Sequence, residues 1–139
     1  MRKGIGYFIK SINDKLEVNG NADMAKFGIT FPQSRVLAVM YQKGGEMTQK
    51  ELEKELQVSH PTVVGLVSRM QRQGFLETGV DPKDRRNKIV KLTGKAESVG
   101  EEMDRTISMR DREMLSGLTD AQIDELFWML EVIDSNIPR

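Results

Sequence analysis

Small, hydroxyl-bearing and cationic residues gather on one side of the stretch from Ser59 to Gly74, where Pro61, Thr62, Gly65, Ser68, Arg69 and Arg72 include no acid and no large apolar group. Those residue types suit contact with a nucleic acid. An arginine can form two parallel hydrogen bonds to guanine in the major groove, Ser59 and Thr62 suit phosphate or base-edge contacts, and small residues let a helix backbone sit near phosphates. A glycine inside a helix costs about 0.5 to 1 kcal/mol relative to alanine, so Gly65 invites a reason such as close approach by another surface. An ordinary solvated helix that tolerates a glycine is the alternative. Downstream, Asp81-Pro82-Lys83-Asp84-Arg85-Arg86-Asn87-Lys88 supplies a second cationic cluster. Arg85, Arg86 and Lys88 suit phosphates or a neighbouring minor groove, whose width varies with base sequence. The alternative there is a solvated charged loop.

These residues need a scaffold that presents them together. Val63, Leu66, Val67 and Met70 recur at i, i+3, i+4 and i+7 and predict a buried stripe opposite the cationic side. Ser59 suits the N-cap, Pro61 the first turn and Gly74 the position just past the end, so a helix is predicted between them. Before it, Thr48-Gln49-Lys50-Glu51 has a capping-box pattern and opens a short helix burying Leu52 and Leu56, with only Gln57-Val58 left before Ser59. Short helix, tight turn and second helix form a helix-turn-helix pattern. After Gly74, the β-prone runs Phe75 to Thr78 and Lys88 to Leu92 flank a loop from Gly79 to Asn87, which predicts a hairpin wing. Glu46-Met47 is a candidate third strand.

The flanks are helical in pattern. Ile5, Phe8, Ile9, Ile12 and Leu16 predict a first helix over residues 4 to about 18, which Asn19-Gly20-Asn21 should weaken or bend, although Ala22 to Lys26 could continue it. Thr30-Phe31-Pro32-Gln33 predicts a capping box opening a helix through Val36, Leu37 and Met40, and Lys43-Gly44-Gly45 ends it. A long helix begins at Thr93 or Gly94 with a sparse seam of Ala96, Val99, Met103 and Ile107. Thr119-Asp120-Ala121-Gln122 is a third capping box, opening a helix whose Ile123, Leu126, Phe127, Trp128, Leu130 and Ile133 exceed one stripe. That width predicts more than one neighbour, most economically a second subunit.

Composition narrows the class further. The 139 residues fit one domain with enough apolar content for a core. Charge sums to zero but is uneven: Ser59 to Lys91 holds seven Lys/Arg against three acids, and Leu92 to Arg139 five against eleven. A basic middle between more acidic flanks suggests an anionic partner for the middle. With no cysteine and one histidine, His60, thiolate metal sites and most zinc and Ser-His-Asp arrangements drop out. His60 reads as an exposed polar residue. No apolar run approaches the ~18 residues of a membrane span, and no secretory pattern opens the chain. We therefore expect a cytoplasmic protein with no membrane partner, cofactor or metal. No carboxylate pair, nucleophile or phosphate loop is grouped with a base, so an enzyme is not expected.

Asp81-Pro82-Lys83-Asp84-Arg85-Arg86 followed by Val90-Lys91-Leu92-Thr93, with Gly28-Ile29-Thr30, Arg35-Val36-Leu37 and the Ser59 to Gly74 helix, resembles the MarR (multiple antibiotic resistance regulator) family of winged helix-turn-helix transcription regulators. The resemblance implies a mostly α fold with a small β-hairpin wing. Residues 30–93 would be the DNA-binding region, and 1–29 with 94–139 the helical dimerisation region. It implies DNA contacts from Ser59, Pro61, Thr62, Gly65 and Arg69, a minor-groove role for Arg86, and wing ordering by Asp84. Two departures stand out: Gly94 follows Thr93 at once, with Ala96 where the family usually has glycine, and Asn19-Gly20 interrupts the first helix.

The expected function is a homodimeric, sequence-specific repressor that binds double-stranded DNA over a two-fold operator. A small aromatic or phenolic effector would relieve it, with Phe8, Ile12 and Tyr41 as candidate lining residues. The alternative is a winged-helix module that uses the same helix for a protein partner.

Overall fold

Side-chain caps fix most helix starts in the computed structural model, which describes residues 2–139. The elements in order are α1 (Ile5–Met24), a 3-10 turn (Ala25–Phe27), α2 (Phe31–Gln42), β1 (Glu46–Thr48), α3 (Gln49–Leu56), α4 (His60–Arg72), β2 (Leu76–Val80), β3 (Lys88–Leu92), α5 (Gly94–Met114) and α6 (Asp120–Asn136). They form two compact units, one ending at Asp104 and one running from Arg105 to Arg139.

In the first unit α2, α3 and α4 enclose the core with the sheet. Val36, Leu37, Met40, Leu52, Val63, Val67, Met70, Phe75, Leu76 and Val90 are buried, so the stripe predicted for α4 is the one that faces inward. The Thr30 hydroxyl accepts from the Gln33 amide while Gln33 accepts from the Thr30 amide, completing the predicted box. Thr48 accepts from the Glu51 amide at 3.1 Å, which is the first half of the box expected there. Gly74 takes φ +85, and Phe75 donates back to the Met70 carbonyl at 2.9 Å, so the chain leaves α4 by a left-handed cap that needs glycine.

The sheet is antiparallel in the order β1-β3-β2, with Thr48 opposite Ile89 and Val80 opposite Lys88. Gly79 and Val80 thus extend the wing strand into what the sequence pattern assigns to the loop. Thr93 caps α5: its hydroxyl accepts from the Ala96 amide at 3.3 Å and donates to the Gly74 carbonyl at 2.6 Å. Gly94 directly after Thr93 therefore starts the helix without disturbing it. Ala96 is fully buried, and its carbonyl accepts the Tyr41 hydroxyl hydrogen bond.

The helix α1 continues through Asn19-Gly20-Asn21 to Met24. Tertiary contacts explain the place of Gly20 and Asn21. A Cβ on Gly20 would lie 2.5 Å from the Phe31 ring, so only glycine lets α1 approach the start of α2 this closely. Asn21 Oδ1 accepts from the Phe31 amide at 2.8 Å, serving α2 as an external cap.

The second unit contains the end of α5 and α6, joined through Gly117 at φ +91. The Thr119–Gln122 box is complete, at 3.2 Å and 2.9 Å. No residue of α6 is buried, and Phe127, Trp128, Met129 and Leu130 are all exposed. Among the described residues no helix is long and apolar enough to cross a membrane.

Candidate nucleic-acid interface

The outward side of α4 is built from its N-cap onward. Ser59 Oγ accepts from the Thr62 amide at 3.4 Å and lies 2.8 Å from the Thr62 hydroxyl, so these two groups hold each other at the head of the helix. Pro61 sits in the first turn, where a missing N–H leaves no bond unmade. Pro61, Thr62, Gly65 and Arg69 line one wall of an open groove of about 770 Å³, and Thr30 and Pro32 from the start of α2 line the other. Four of the five helix residues expected to touch DNA are thereby brought to one surface.

Gly65 differs from the other glycines deep within helices. A Cβ at Gly20 would strike Phe31, and one at Gly100 would stand 2.9 Å from the Tyr41 ring, so the fold's own packing demands both. A Cβ at Gly65 would meet only the Arg69 guanidinium, at an ordinary 3.7 Å. Among the described residues nothing requires glycine there. The Arg69 side chain arches over the bare backbone at Gly65 and remains exposed.

The wing tip is an ordered loop. Asp81 Oδ1 accepts from the Lys83 amide at 2.9 Å, and Asp84 Oδ1 accepts from the Arg86 amide at 3.1 Å, so two aspartate turns follow one another. The Asp84 carboxylate also accepts from Arg86 Nε at 3.1 Å. Hydrogen bonding from the Arg86 side chain, then from its backbone amide, holds the Asp84 carboxyl below the ordinary carboxylate range. Arg86 donates to Asp84 from Nε and, at 3.4 Å, from Nη2, while its side chain stays 91% exposed. Arg85 and Lys88 are exposed alongside it.

Two features of this surface escaped the sequence reading. His60 Nδ1 is hydrogen-bonded to the Glu53 carboxylate, a partner supplied from α3 across the tight turn. Lys50 and the buried Gln49 lie beside His60 and the wing, because the β1–β3 pairing carries the start of α3 there. Their only sequence signal was adjacency to the Thr48 cap. Phe8 and Ile12 are exposed on α1, while half-buried Tyr41 bonds to α5. Burial, then the nearby Glu97 carboxylate, raises the Tyr41 hydroxyl above its ordinary value. Among the described residues no group of three or more His, Asp or Glu side chains is placed to hold a metal ion.

Helix pair, three-stranded sheet and projecting hairpin together define a winged helix-turn-helix protein. A sequence model of the MarR family matches residues 27–87, which lie within the winged region and the helix before it. Solved structures agree in fold. The chain is similar to MepR of S. aureus in its DNA complex, at 23% identity and TM-score 0.91, covering 98% of this chain and all of that one. A cysteine-to-serine mutant of E. coli MarR complexed with operator DNA matches at 25% identity and TM-score 0.84, over 93% of this chain and 92% of that one. A putative MarR-family regulator from Listeria monocytogenes, complexed with 26mer DNA, matches at 20% identity and TM-score 0.89, over 98% and 90%.

Proposed function

We propose that this chain is a sequence-specific DNA-binding transcription regulator, acting as a homodimeric repressor that a small aromatic or phenolic effector releases. The observation that carries the reading is the outward side of α4: polar, cationic, open, and bearing a glycine that the chain's own packing does not require. The match of residues 27–87 to the MarR family model and the DNA complexes of similar proteins support it.

In this reading α4 enters the major groove with Ser59, Pro61, Thr62, Gly65 and Arg69 toward the bases and phosphates. Arg86 enters the adjacent minor groove, flanked by Arg85 and Lys88. Asp84 orders the tip and spares Arg86 part of the entropy lost on immobilisation. Residues 1–29 and 94–139 join two copies. The exposed Ile5, Phe8, Ile9 and Ile12 of α1, and Phe127, Trp128 and Leu130 of α6, support a partner that covers them. Two copies then present their α4 helices to half-sites about 34 Å apart along the duplex.

Release requires an effector that binds the DNA-incompatible arrangement more tightly than the DNA-bound one, and DNA must weaken effector binding by the same factor. The test is selection of bound fragments from random duplex DNA, repeated over a salt series and with aromatic acids present. A two-fold consensus whose affinity falls steeply with salt is expected. No enriched sequence, with salt-insensitive capture of a protein instead, would favour the interaction-module reading.

A further inference from the structure

A polar depression of about 460 Å³ lies between the start of α3, the first residue of α4 and the wing residues Asp84, Arg86, Asn87 and Lys88. Gln49 forms part of its lining; it is only 8% exposed, yet among the described residues its Oε1 has no hydrogen-bond partner. Buried polar atoms are seldom left so, and an unfilled one at the wall of a depression points to a missing ligand. Lys50 and Lys88 add two exposed cations. The acids present are already engaged, Glu53 with His60 and Asp84 with Arg86.

Position identifies the ligand. The major and minor grooves of a duplex are separated by one sugar-phosphate strand, so a protein that fills both must straddle that strand. The surface between α4 and the wing is this depression. We propose that it is a phosphate cradle, in which Lys50 and His60 at the rim and Gln49 in the wall hold a backbone phosphate of the strand passing between the two grooves. The inference rests on the DNA reading above. Turning the Gln49 amide about its last bond exchanges oxygen and NH2, so the group donates to an anionic oxygen. With both ring nitrogens protonated, His60 donates from Nε2 to the phosphate and from Nδ1 to the Glu53 carboxylate, which makes Glu53 a positioning residue. Such contacts set register and affinity without reading sequence.

The test uses the whole chain and a duplex it selects from random DNA, with single methylphosphonates scanned along each strand. Wild-type protein should lose affinity when the phosphate between the grooves is neutralised, and Lys50→Ala should no longer respond at that position. Lys50→Ala should also lower the slope of log K against log salt by about 0.9, with an unchanged base preference. Gln49→Glu, nearly isosteric and checked for folding by circular dichroism, should weaken binding through repulsion of the phosphate. If Lys50→Ala keeps the wild-type salt slope and phosphate sensitivity while Arg69→Ala weakens binding, the cradle is wrong and the DNA reading stands. If wild-type protein selects no duplex, both fall.

Discussion

Replacing Gly65 by alanine separates a glycine kept for an external surface from one merely tolerated. In the free protein the new methyl meets no obstacle, since its nearest neighbours are the Arg69 guanidinium nitrogens at 3.7 and 3.8 Å and Gly65 lies within regular α4. The helix then gains the alanine propensity, about 0.5 to 1 kcal/mol. For a chain of this size that raises Tm by about 2 to 5 °C at fixed protein concentration. In complex with DNA the same methyl stands between the helix backbone and the duplex. We expect affinity for the selected duplex to fall about tenfold, roughly 1.4 kcal/mol. Thermal unfolding by circular dichroism and fluorescence anisotropy with labelled duplex measure the two effects on one preparation. A variant that melts higher and binds DNA as wild type does would refute the reasoning and make Gly65 an ordinary surface glycine. A variant that melts lower would refute the packing argument instead.

Gly20→Ala should do the opposite of what helix propensity predicts and destabilise by about 1 to 3 kcal/mol, because the methyl overpacks against the Phe31 ring; an unchanged or higher Tm would contradict this. Arg69→Ala and Arg86→Ala should each weaken specific binding by about 1 to 3 kcal/mol and relax preference at the contacted base pair, as read by competition with singly substituted duplexes. Asp84→Asn should loosen the wing tip without unfolding the chain. Because the folded carboxyl sits below its ordinary value, the wing-tip order it supports is complete above the ordinary carboxylate range and disappears as pH falls through the lower, folded value. The Arg86 amide resonance followed by NMR against pH should report that loss in wild type and lack it in Asp84→Asn. Tyr41→Phe removes the donor to the buried Ala96 carbonyl and should destabilise by about 1 kcal/mol in urea unfolding. Since the folded Tyr41 hydroxyl is raised, its stabilisation is intact below the ordinary tyrosine value and lost as pH rises through the folded one, so wild type and variant should converge at alkaline pH.

Local chemistry was legible because it depends on neighbours within a turn. Thr30 with Gln33, Thr119 with Gln122, Ser59 with Thr62 and Gly74 after α4 all form bonds inside a few residues, so residue type and spacing suffice to place each cap. The buried stripe of α4 follows from the 3.6-residue period in the same way, and with it the outward side that carries Arg69. Wing strands were located by β-prone runs, although the ladder extends past Thr78 through Gly79, against its local preference, to Val80, opposite Ile89 and Lys88.

Asn19-Gly20-Asn21 shows where that reasoning stops. By local propensity it weakens or bends a helix; in the fold Phe31 closes on Gly20 and its amide reaches Asn21, two contacts that a periodicity argument does not contain. The pairing of His60 with Glu53 and the placement of Gln49 beside the wing likewise depend on which elements meet. By itself the sequence determined where helices and strands start and which side of each is apolar, since those properties are settled within a turn or a strand. Tertiary structure decided what faces what across chain separations that no periodicity records. It therefore decided which glycine makes room for a ring and which stays bare, and which polar groups share one depression.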